Sequence, residues 1–329
     1  MNRPTVTSTL RRRLLAASAL AATGMGTTAF AQTNTPIRLI VGFPPGGGTD
    51  AIARALADKL KDLLGVPVLV ENKAGAGGQI AAQALKNAAP DGNTLFLSHD
   101  HSVSIIPLTI KNPGFAPATD FLPVAGFATF ANVLAVSGAT PAKSLPEYVA
   151  WVKSRGGKDT IGVPAPGSIP EFLVGLIGAK YGLDLQAAPY RGSAPMVADM
   201  VGNQISAGIA STADFMEQQK AGKLRIVAAI GDQRQALLPD VPTFAELGFA
   251  NLEDLPYYGI FAPAGTPAAV TSRFGQALQK ALAMPDVNER LVGLGLSVGY
   301  QAQAQFAATV RKYDQTWARI IKASGFQPQ

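Results

Sequence analysis

Two glycine-rich loops, each between a β-rich run and an amphipathic helix, decide the fold class of this chain. The first loop follows the run 37–41 and precedes a helix predicted from about Asp50 to Leu64, which Thr49 or Asp50 can cap and Gly65 can end. The pattern then repeats, with a strand predicted at 66–70, a loop at 75–78, a helix at 79–87 and a strand at 94–98. Strand, loop, helix and strand in succession form a βαβ unit, so the sequence predicts an α/β fold with a mostly parallel sheet flanked by helices.

The same alternation continues to the end of the chain. Further elements are predicted as strands at 160–163 and 224–230, and as helices at 170–181, 193–202, 270–282 and 303–323. No long linker separates two halves. We therefore expect the chain to cross between two domains on strands, and the candidate crossings are 130–135 and 257–262.

The N-terminal segment 1–31 has the three regions of a secretory signal peptide. Three arginines at 11–13 precede an apolar run at 14–22, and the small-residue sequence Ala-Phe-Ala follows at 29–31. The apolar run is too short to span a bilayer. We expect a mature chain that begins at Gln32 in the periplasm; the paired arginines leave the Sec and twin-arginine routes both open.

Charge and composition exclude several functions. Without the four arginines of the signal segment, 24 basic residues remain against 22 acidic ones, and no basic stripe indicates a nucleic-acid partner. The chain has no cysteine, which excludes disulfides, thiol catalysis and thiolate metal sites. It contains no Walker A loop, no dinucleotide fingerprint and no Gly-x-Ser-x-Gly elbow. We therefore expect neither an enzyme nor a cofactor.

The glycine loops have the properties of an anion site. A helix N-terminus carries unpaired N–H groups and a partial positive charge, and glycine lets a ligand approach the backbone closely. Ligands of open α/β sheets bind at the carboxyl ends of the strands, where two such loops line one crevice. The alternative interpretation is that both loops are only tight structural turns.

The chain resembles the Bug family, the periplasmic receptors of tripartite tricarboxylate transporters. The matching stretches follow one another along the mature chain: 43–50 (Phe-Pro-Pro-Gly-Gly-Gly-Thr-Asp), 70–78 (Val-Glu-Asn-Lys-Ala-Gly-Ala-Gly-Gly), 90–95 (Pro-Asp-Gly-Asn-Thr-Leu), 189–195 (Pro-Tyr-Arg-Gly-Ser-Ala-Pro), 222–225, 238–248, 262–267 and 322–325. Each stretch is a weak signal, and their shared order is a strong one.

The resemblance implies a Venus flytrap fold of two α/β lobes that close on a ligand. The first lobe comprises 32–132 and 260–329, and the second comprises 133–259. The implied ligand is a small carboxylate: a dicarboxylate or tricarboxylate, an acidic amino acid or an aromatic acid. Carried onto this chain, the ligand-binding residues of the glycine loops are Phe43, Pro45, Gly46, Gly47, Thr49, Asp50, Gly77 and Gly78.

The segment 98–101 (Ser-His-Asp-His) departs from the family pattern and contains both histidines of the chain. Three interpretations stay open: a metal site, a solvated loop, or a ligand contact through Ser98, His99 or Asp100. If His99 contacts an acid, binding should strengthen as the pH falls through the pKa of the imidazole.

The second lobe adds weaker candidates. The loop 164–170 is richer in proline and apolar residues than the family pattern, which indicates a more apolar ligand. The candidate ligand-binding residues outside the glycine loops and the histidine segment are Phe130, Ser168, Arg191, Ala210 and Asp214. Each of three has a structural alternative: packing for Phe130, an ion pair for Arg191 and a helix cap for Asp214.

These observations predict a monomeric receptor that delivers a carboxylate to the membrane permease of a tripartite tricarboxylate transporter. A ligand sensor that signals through a membrane protein such as a sensor kinase is the alternative, and a periplasmic enzyme that acts on a small acid is a third possibility.

Overall fold

The computed structural model of the protein describes residues 35–249, 252, 255–323 and 326–328. The signal peptide predicted at 1–31 lies outside these residues. Within the part of the chain that is described, no helix combines the length and the apolar character needed to cross a bilayer.

The chain first builds strands and helices of one sheet. In order, these elements are β1 (Ile37–Val41), α1 (Gly48–Leu64), β2 (Val68–Asn72), α2 (Gln79–Lys86), β3 (Thr94–His99), α3 (Ile106–Thr109), α4 (Pro117–Asp120) and β4 (Phe121–Thr129). β1 pairs in parallel with both β2 and β3, as the βαβ pattern predicts. A 3-10 turn at Ala76–Gly78 leads into α2, and a π-helical turn at His101–Ile105 follows β3.

The start of α1 differs from the sequence prediction. The helix begins at Gly48, and its N-cap Gly47 has no side chain to accept a hydrogen bond. Asp50 lies inside the first turn, and its carboxylate reaches back to accept the Gly46 N–H at 3.0 Å. The predicted cap by Thr49 or Asp50 is therefore wrong, because the three glycines let the chain enter the helix earlier. The predicted strand at 66–70 is likewise displaced, since β2 covers 68–72.

The chain then builds a second sheet. Its elements are β5 (Asn132–Ser137), α5 (Leu145–Ser154), β6 (Lys158–Val163), α6 (Ile169–Tyr181), β7 (Asp184–Pro189), α7 (Ser193–Val201), β8 (Ala207–Ser211), α8 (Thr212–Lys220) and β9 (Leu224–Ala229). The strand order is β7-β6-β8-β5-β9. β6 is parallel to β7 and β8, whereas β5 is antiparallel to β8 and β9.

The last part of the chain returns to the first sheet. It forms β10 (Tyr257–Pro263), α9 (Ala268–Leu282), α10 (Pro285–Gly293), β11 (Ser297–Gln301) and α11 (Gln303–Ala323). The first sheet has the order β11-β4-β10-β3-β1-β2, and β10 is antiparallel to both of its neighbours. Because all of β10 pairs within this sheet, the return precedes Tyr257. The chain thus runs in the first sheet from Tyr257 to Pro263, and the predicted crossing at 257–262 and lobe boundary at 260 remain predictions.

Both sheets are mixed, not mostly parallel as predicted. β5 and β10 each begin after the chain has come from the other sheet, and each runs antiparallel to both of its neighbours. These neighbours are β8 and β9 for β5, and β3 and β4 for β10. Helices still cover both faces of the first sheet: Leu39 packs in the core that includes Leu56 of α1, and Ile40 packs in the core that includes Ala82 of α2. Two-sided burial explains the continuous apolar run of β1. The prediction of an α/β fold with two lobes is confirmed.

Candidate functional site

A cleft lies between loops of the two sheets. Its lining comes from both sides: Phe43, Thr49, His99, Asp100, His101, Phe130, Asn132, Pro164, Ala165, Ser168, Ile169, Pro170, Ser193, Ser211, Asp214 and Tyr258. Among the described residues that line it there are two carboxylates and no lysine or arginine. The ends of β3, β8 and the two crossing strands position much of this lining.

Asp50 organises the first glycine loop. Its carboxylate accepts hydrogen bonds from Gly46 N–H, from Arg54 at 2.9 Å and from the Asn72 amide at 2.9 Å. The same Asn72 amide donates to the Phe43 carbonyl at 3.0 Å. Burial alone would raise the pKa of Asp50, but these hydrogen bonds and the charge of Arg54 outweigh burial and lower that pKa. Asp50 therefore holds the loop in shape and does not line the cleft.

Asp214 joins the two sides of the cleft. Its Oδ1 accepts the Gly48 N–H at 2.8 Å and the hydroxyl of Ser193, and its Oδ2 accepts the Ser211 hydroxyl at 2.6 Å. Gly48 begins α1, which packs on the first sheet. Ser193, Ser211 and Asp214 belong to α7, β8 and α8, which are elements of the second sheet and its helices. A carboxylate at a helix N-terminus interacts favourably with the helix dipole. Asp214 is in the first turn of α8, yet its carboxylate binds the start of α1.

Close approach at this contact depends on glycine. A Cβ at Gly48 would lie 2.8 Å from Oδ1 of Asp214 and 2.9 Å from Cβ of Ala213. A Cβ at Gly47 would lie 3.1 Å from the Ser193 hydroxyl oxygen. Gly47 and Gly48 therefore allow the backbone of the first loop to contact residues on the side of the second sheet.

Aromatic rings form the wall of the cleft on the first-sheet side. His99 stacks on Phe43, with 5.0 Å between ring centroids, and meets Phe130 and Tyr258 edge-on at 5.8 and 5.3 Å. The Tyr258 hydroxyl lies 3.1 Å from the Thr49 hydroxyl. Burial raises the pKa of Tyr258, so that its hydroxyl stays protonated at ordinary pH.

A buried polar chain connects this wall to the C-terminal helix. Nδ1 of His99 lies 3.3 Å from Oδ1 of Asp100, and the Tyr313 hydroxyl donates to Oδ2 of Asp100 at 2.9 Å. Tyr313 belongs to α11, which therefore supports the orientation of Asp100 from behind. Burial, followed by the charge of Asp100, raises the pKa of Tyr313, so this donor also stays protonated.

His101 is a buried imidazole without a partner. Only 7% of the residue is exposed, and neither ring nitrogen has a hydrogen-bond partner among the described residues. Burial lowers the pKa of His101 to about 4; His99 lowers it further and Asp100 opposes the shift. The imidazole is therefore neutral near pH 7. No group of three or more potential ligand side chains in the described part of the chain could hold a metal ion.

The second glycine loop packs against residues that follow β3. A Cβ at Gly77 would lie 2.4 Å from Nε2 of His101, and a Cβ at Gly78 would lie 2.2 Å from the Ser102 hydroxyl oxygen. Ser102 donates a hydrogen bond to the Gly77 carbonyl at 2.7 Å. Both glycines have positive φ, +65° and +97°. They make room for the side chains at 101 and 102, and a Cβ at Gly77 would also lie 3.3 Å from Cβ of Ala165 on the opposite wall of the cleft.

The opposite wall of the cleft is mostly apolar. It contains Pro164, Ala165, Ile169 and Pro170 at the start of α6. Ser168 is buried and donates its hydroxyl hydrogen to the Ala165 carbonyl at 2.6 Å. The N-terminus of this helix lines the cleft, where Pro170 has no N–H and the Glu171 N–H donates to the Ser168 carbonyl at 3.0 Å. The Gly167 N–H donates to the Glu171 carboxylate at 2.6 Å, so the N–H groups of Ser168 and Ile169 are the ones at this helix start that suit an anion.

The structure brings only part of the predicted site together. The predicted residues in the lining are Phe43, Thr49, His99, Asp100, Phe130, Ser168 and Asp214. Gly46 and Gly47 line a separate cavity that also reaches Asp214. Pro45 is exposed, Ala210 is buried within β8, and Ser98 is buried with no partner for its hydroxyl among the described residues. Arg191 is exposed and forms no ion pair with any described residue.

Several lining residues were missed as site candidates: His101, Asn132, Ser193, Ser211 and Tyr258. Four of them carried a usable signal. Asn132 and Tyr258 lie on the crossing strands, which in a two-lobed fold run past the ligand. Ser211 ends β8 and Ser193 starts α7, and ligand-binding groups of α/β folds gather at strand ends and at the helix starts that follow them. His101 was considered as a metal ligand or as part of a solvated loop, and not as a contact in the cleft.

Two mixed sheets with flanking helices, and a cleft lined from both, define the class of two-lobed solute-binding proteins. The family model for "Tripartite tricarboxylate transporter family receptor" matches residues 52–326. The protein BugT of Bordetella pertussis (strain Tohama I) is 32% identical over 291 residues, which cover 88% of this chain and 89% of BugT. This chain therefore belongs to the Bug family of periplasmic solute-binding proteins.

Solved structures show the same fold. The protein MatC from Rhodopseudomonas palustris with bound malate has a TM-score of 0.80 and 28% identity, and the match covers 87% of this chain and 98% of MatC. A second R. palustris protein, with adipate, has a TM-score of 0.83 and 27% identity over 90% of this chain and 99% of that protein.

Proposed function

We propose that this protein is an extracytoplasmic receptor that binds a small carboxylate in the cleft and delivers it to the permease of a tripartite tricarboxylate transporter. The observation that carries the proposal is a cleft lined from both sheets, with the N-terminus of α6 directed into it. Family membership and the malate and adipate held by two structural neighbours support a carboxylate ligand.

The ligand carboxylate would bind the N–H groups at the start of α6, beside Ser168 and Ile169. Thr49, Asn132 and Tyr258 would supply further polar contacts from the first-sheet side and the crossing strands. The contact between Asp214 and Gly48 would hold the two lobes closed around the ligand. One lobe would contain the elements of the first sheet and the other those of the second. After loss of 1–31, the receptor would act in the periplasm.

Ligand-dependent thermal stability tests the binding role. The chain 32–329, refolded to remove bound solute, would be melted with monocarboxylates, dicarboxylates, tricarboxylates, acidic amino acids and aromatic acids. A ligand that binds only the folded state raises the melting temperature. At a hundredfold excess over the dissociation constant, the free energy of unfolding increases by about 2.7 kcal/mol. If no acid in the panel raises the melting temperature, the proposed ligand class is wrong.

A tyrosine pair locates the binding. Tyr258→Phe removes a hydroxyl from the cleft, whereas Tyr300→Phe removes one from a partly buried position outside it. We expect the first variant to weaken the binding of the best acid several-fold and the second to leave it unchanged. Equal affinities for both variants and the original protein would place the ligand elsewhere.

Transport is tested in cells. Deletion of the gene should abolish uptake of the acid that the purified protein binds. Unimpaired uptake combined with loss of a transcriptional response to the same acid would favour the sensor over the transport receptor.

A further inference from the structure

The imidazole of His99 lines the cleft and leaves one of its two nitrogens open to it. Phe43 stacks on the ring, and Phe130 and Tyr258 meet it edge-on, so that only 13% of the side chain is exposed. Nδ1 faces the Asp100 carboxylate. Nε2 has no hydrogen-bond partner among the described residues, yet it keeps accessible surface. Nε2 is therefore the nitrogen of this ring that a ligand in the cleft can reach.

The partners of Nδ1 determine which nitrogen carries the hydrogen. Oδ1 of Asp100 lies 3.3 Å from Nδ1 of His99 and has no other donor among the described residues. The backbone N–H of His101 lies 3.4 Å from the same nitrogen and would favour the opposite tautomer. The carboxylate outweighs it, because a charged acceptor forms a hydrogen bond about twice as strong as a neutral one, and a buried carboxylate oxygen without a donor is costly. In the neutral ring Nδ1 therefore carries the hydrogen, and Nε2 is an acceptor.

Tyr313 holds Asp100 in this orientation from the side of α11. The Tyr313 hydroxyl donates to Oδ2 of Asp100 at 2.9 Å, which leaves Oδ1 for His99. Asp100 is 3% exposed and Tyr313 is 6% exposed, so water does not compete for this contact. The hydrogen bond that one imidazole nitrogen makes sets the role of the other. Tyr313 and Asp100 thus fix the tautomer of a ring that they hold from behind the cleft.

The surroundings of Nε2 make its partner matter. Phe43 and Phe130 lie on the same side of the cleft as His99, and Pro164 and Ala165 lie opposite. A ligand that fills the space between these apolar groups displaces water from Nε2. An acceptor that loses water and gains no donor costs free energy, so a ligand with a donor at this position binds more tightly than one without.

We propose that His99 determines specificity by accepting, at Nε2, a hydrogen bond from an O–H or N–H group of the bound acid, and that Asp100 and Tyr313 are positioning residues that keep Nε2 an acceptor. This inference rests on the proposed function and adds to it the recognition of a second ligand group besides the carboxylate. A hydroxyl and an ammonium group share this donor chemistry, and separate probes distinguish them.

Calorimetric dissociation constants for acids of matched size test the preference. Each series carries a hydroxyl, an ammonium, an oxo group or hydrogen beside the carboxylate: lactate, alanine, pyruvate and propionate; 2-hydroxyglutarate, glutamate, 2-oxoglutarate and glutarate; mandelate, phenylglycine, phenylglyoxylate and phenylacetate. In the series that binds best, the hydroxy or the amino acid should bind about tenfold more tightly than the oxo and the unsubstituted acid. Equal binding of the oxo acid would overturn the proposal and leave the proposed function standing. If no acid binds, the proposed function fails as well.

Asp100→Asn tests the positioning role at nearly constant shape. Because Tyr313 donates to the Oδ2 position, the new amide should keep its oxygen there and direct its NH2 group at Nδ1 of His99. Nδ1 then accepts, and Nε2 carries the hydrogen. The preference for the hydroxy acid over the oxo acid should fall from about tenfold to about one, and the amino acid should lose most, because an ammonium group cannot accept. An equal loss of affinity for all acids of the series would mean a merely structural role and overturn the proposal.

Two further variants complete the test. Asp159→Asn is the matched control, because Asp159 also accepts a tyrosine hydroxyl, from Tyr148 at 2.6 Å, but does not line the cleft; the preference should stay unchanged. His99→Phe keeps an aromatic ring against Phe43 and removes Nε2, so the preference should fall to about one. A full preference in His99→Phe would show that another residue recognises the donor.

Imidazole nitrogen spectra provide a test in the original protein. The chain has two histidines, and a His99→Gln sample assigns their signals. At about pH 8, where imidazole side chains are ordinarily neutral, His99 should show a protonated Nδ1 and an unprotonated Nε2. Addition of the preferred acid should shift the Nε2 signal. A protonated Nε2 at this pH, or an Nε2 signal that stays in place at saturation, would overturn the proposal.

Discussion

The two glycine loops look alike in the sequence but have different tasks in the structure. In the first loop, Gly47 and Gly48 let the backbone meet Ser193 and Asp214 across the cleft. In the second loop, Gly77 and Gly78 make room for the side chains at 101 and 102 on their own side. The first loop therefore serves contact across the cleft, and the second serves mainly packing on its own side, with one looser approach of Gly77 to Ala165 across the cleft.

This difference shows that a glycine-rich strand–helix connection does not by itself mark a ligand contact. The absence of a Cβ is needed wherever a backbone approaches another group closely. The neighbouring group can be a carboxylate of the other lobe, as at Gly48, or an imidazole of the same lobe, as at Gly77. Substitutions in the two loops should consequently affect different measurable properties.

The largest expected effect is on the stability of the second loop. Gly78→Ala adds a Cβ at a φ of +97° and 2.2 Å from the Ser102 hydroxyl oxygen. We expect a loss of about 3 kcal/mol in the free energy of unfolding, from a disfavoured backbone conformation and from overpacking. Urea denaturation measures this loss. Gly46→Ala is the matched control, because Gly46 has a φ of +85° but nothing within 4 Å; it should lose about 1 kcal/mol. Equal losses would mean that packing on Ser102 is unimportant.

A smaller effect is expected from His101, the residue that Gly77 accommodates. Its folded-state pKa of about 4 lies below the usual 6.5, so the unfolded chain takes up a proton first as the pH falls. Stability should therefore decrease from about pH 6.5 towards pH 4. We expect the original protein to lose about 2 kcal/mol more than His101→Phe between pH 7 and pH 5.

Urea denaturation at the two pH values measures this difference. Asp100, His99 and the other titrating groups are common to both proteins and largely cancel in the comparison. Parallel pH profiles would mean that His101 is not a buried neutral imidazole in solution.

The smallest expected free-energy change concerns the first loop and should appear in binding. Gly48→Ala places a Cβ 2.8 Å from Oδ1 of Asp214 and 2.9 Å from Cβ of Ala213. This crowding exists only when the lobes are in contact, so we expect about a tenfold loss of ligand affinity, or about 1.4 kcal/mol. The free energy of unfolding should change by less than about 1 kcal/mol, because alanine is a good helix former. Calorimetry and urea denaturation separate the two quantities. A stability loss as large as that of Gly78→Ala would remove the distinction between the loops.

The site was predicted less completely than the fold. Phe43, Thr49 and His99 could be named because they lie at strand ends beside recognisable motifs. Arg191 has a charge suited to an acid, but the backbone directs it to solvent. The roles of His101 and Asp50 could not be predicted from the sequence. Only the tertiary structure reveals that His101 lines the cleft and that Asp50 supports a loop.

The sequence by itself determined the alternation of strands and helices, the α/β class and the family, because apolar periodicity, glycine turns and motif order are local properties. Only the tertiary structure decided the mixed strand directions, the pairing of Asp214 with Gly48, and the burial of His101 without partners. Asp214 and Gly48 are separated by 166 positions in the chain. Local patterns carry no information about how two distant segments approach, because that approach depends on the packing of both sheets together.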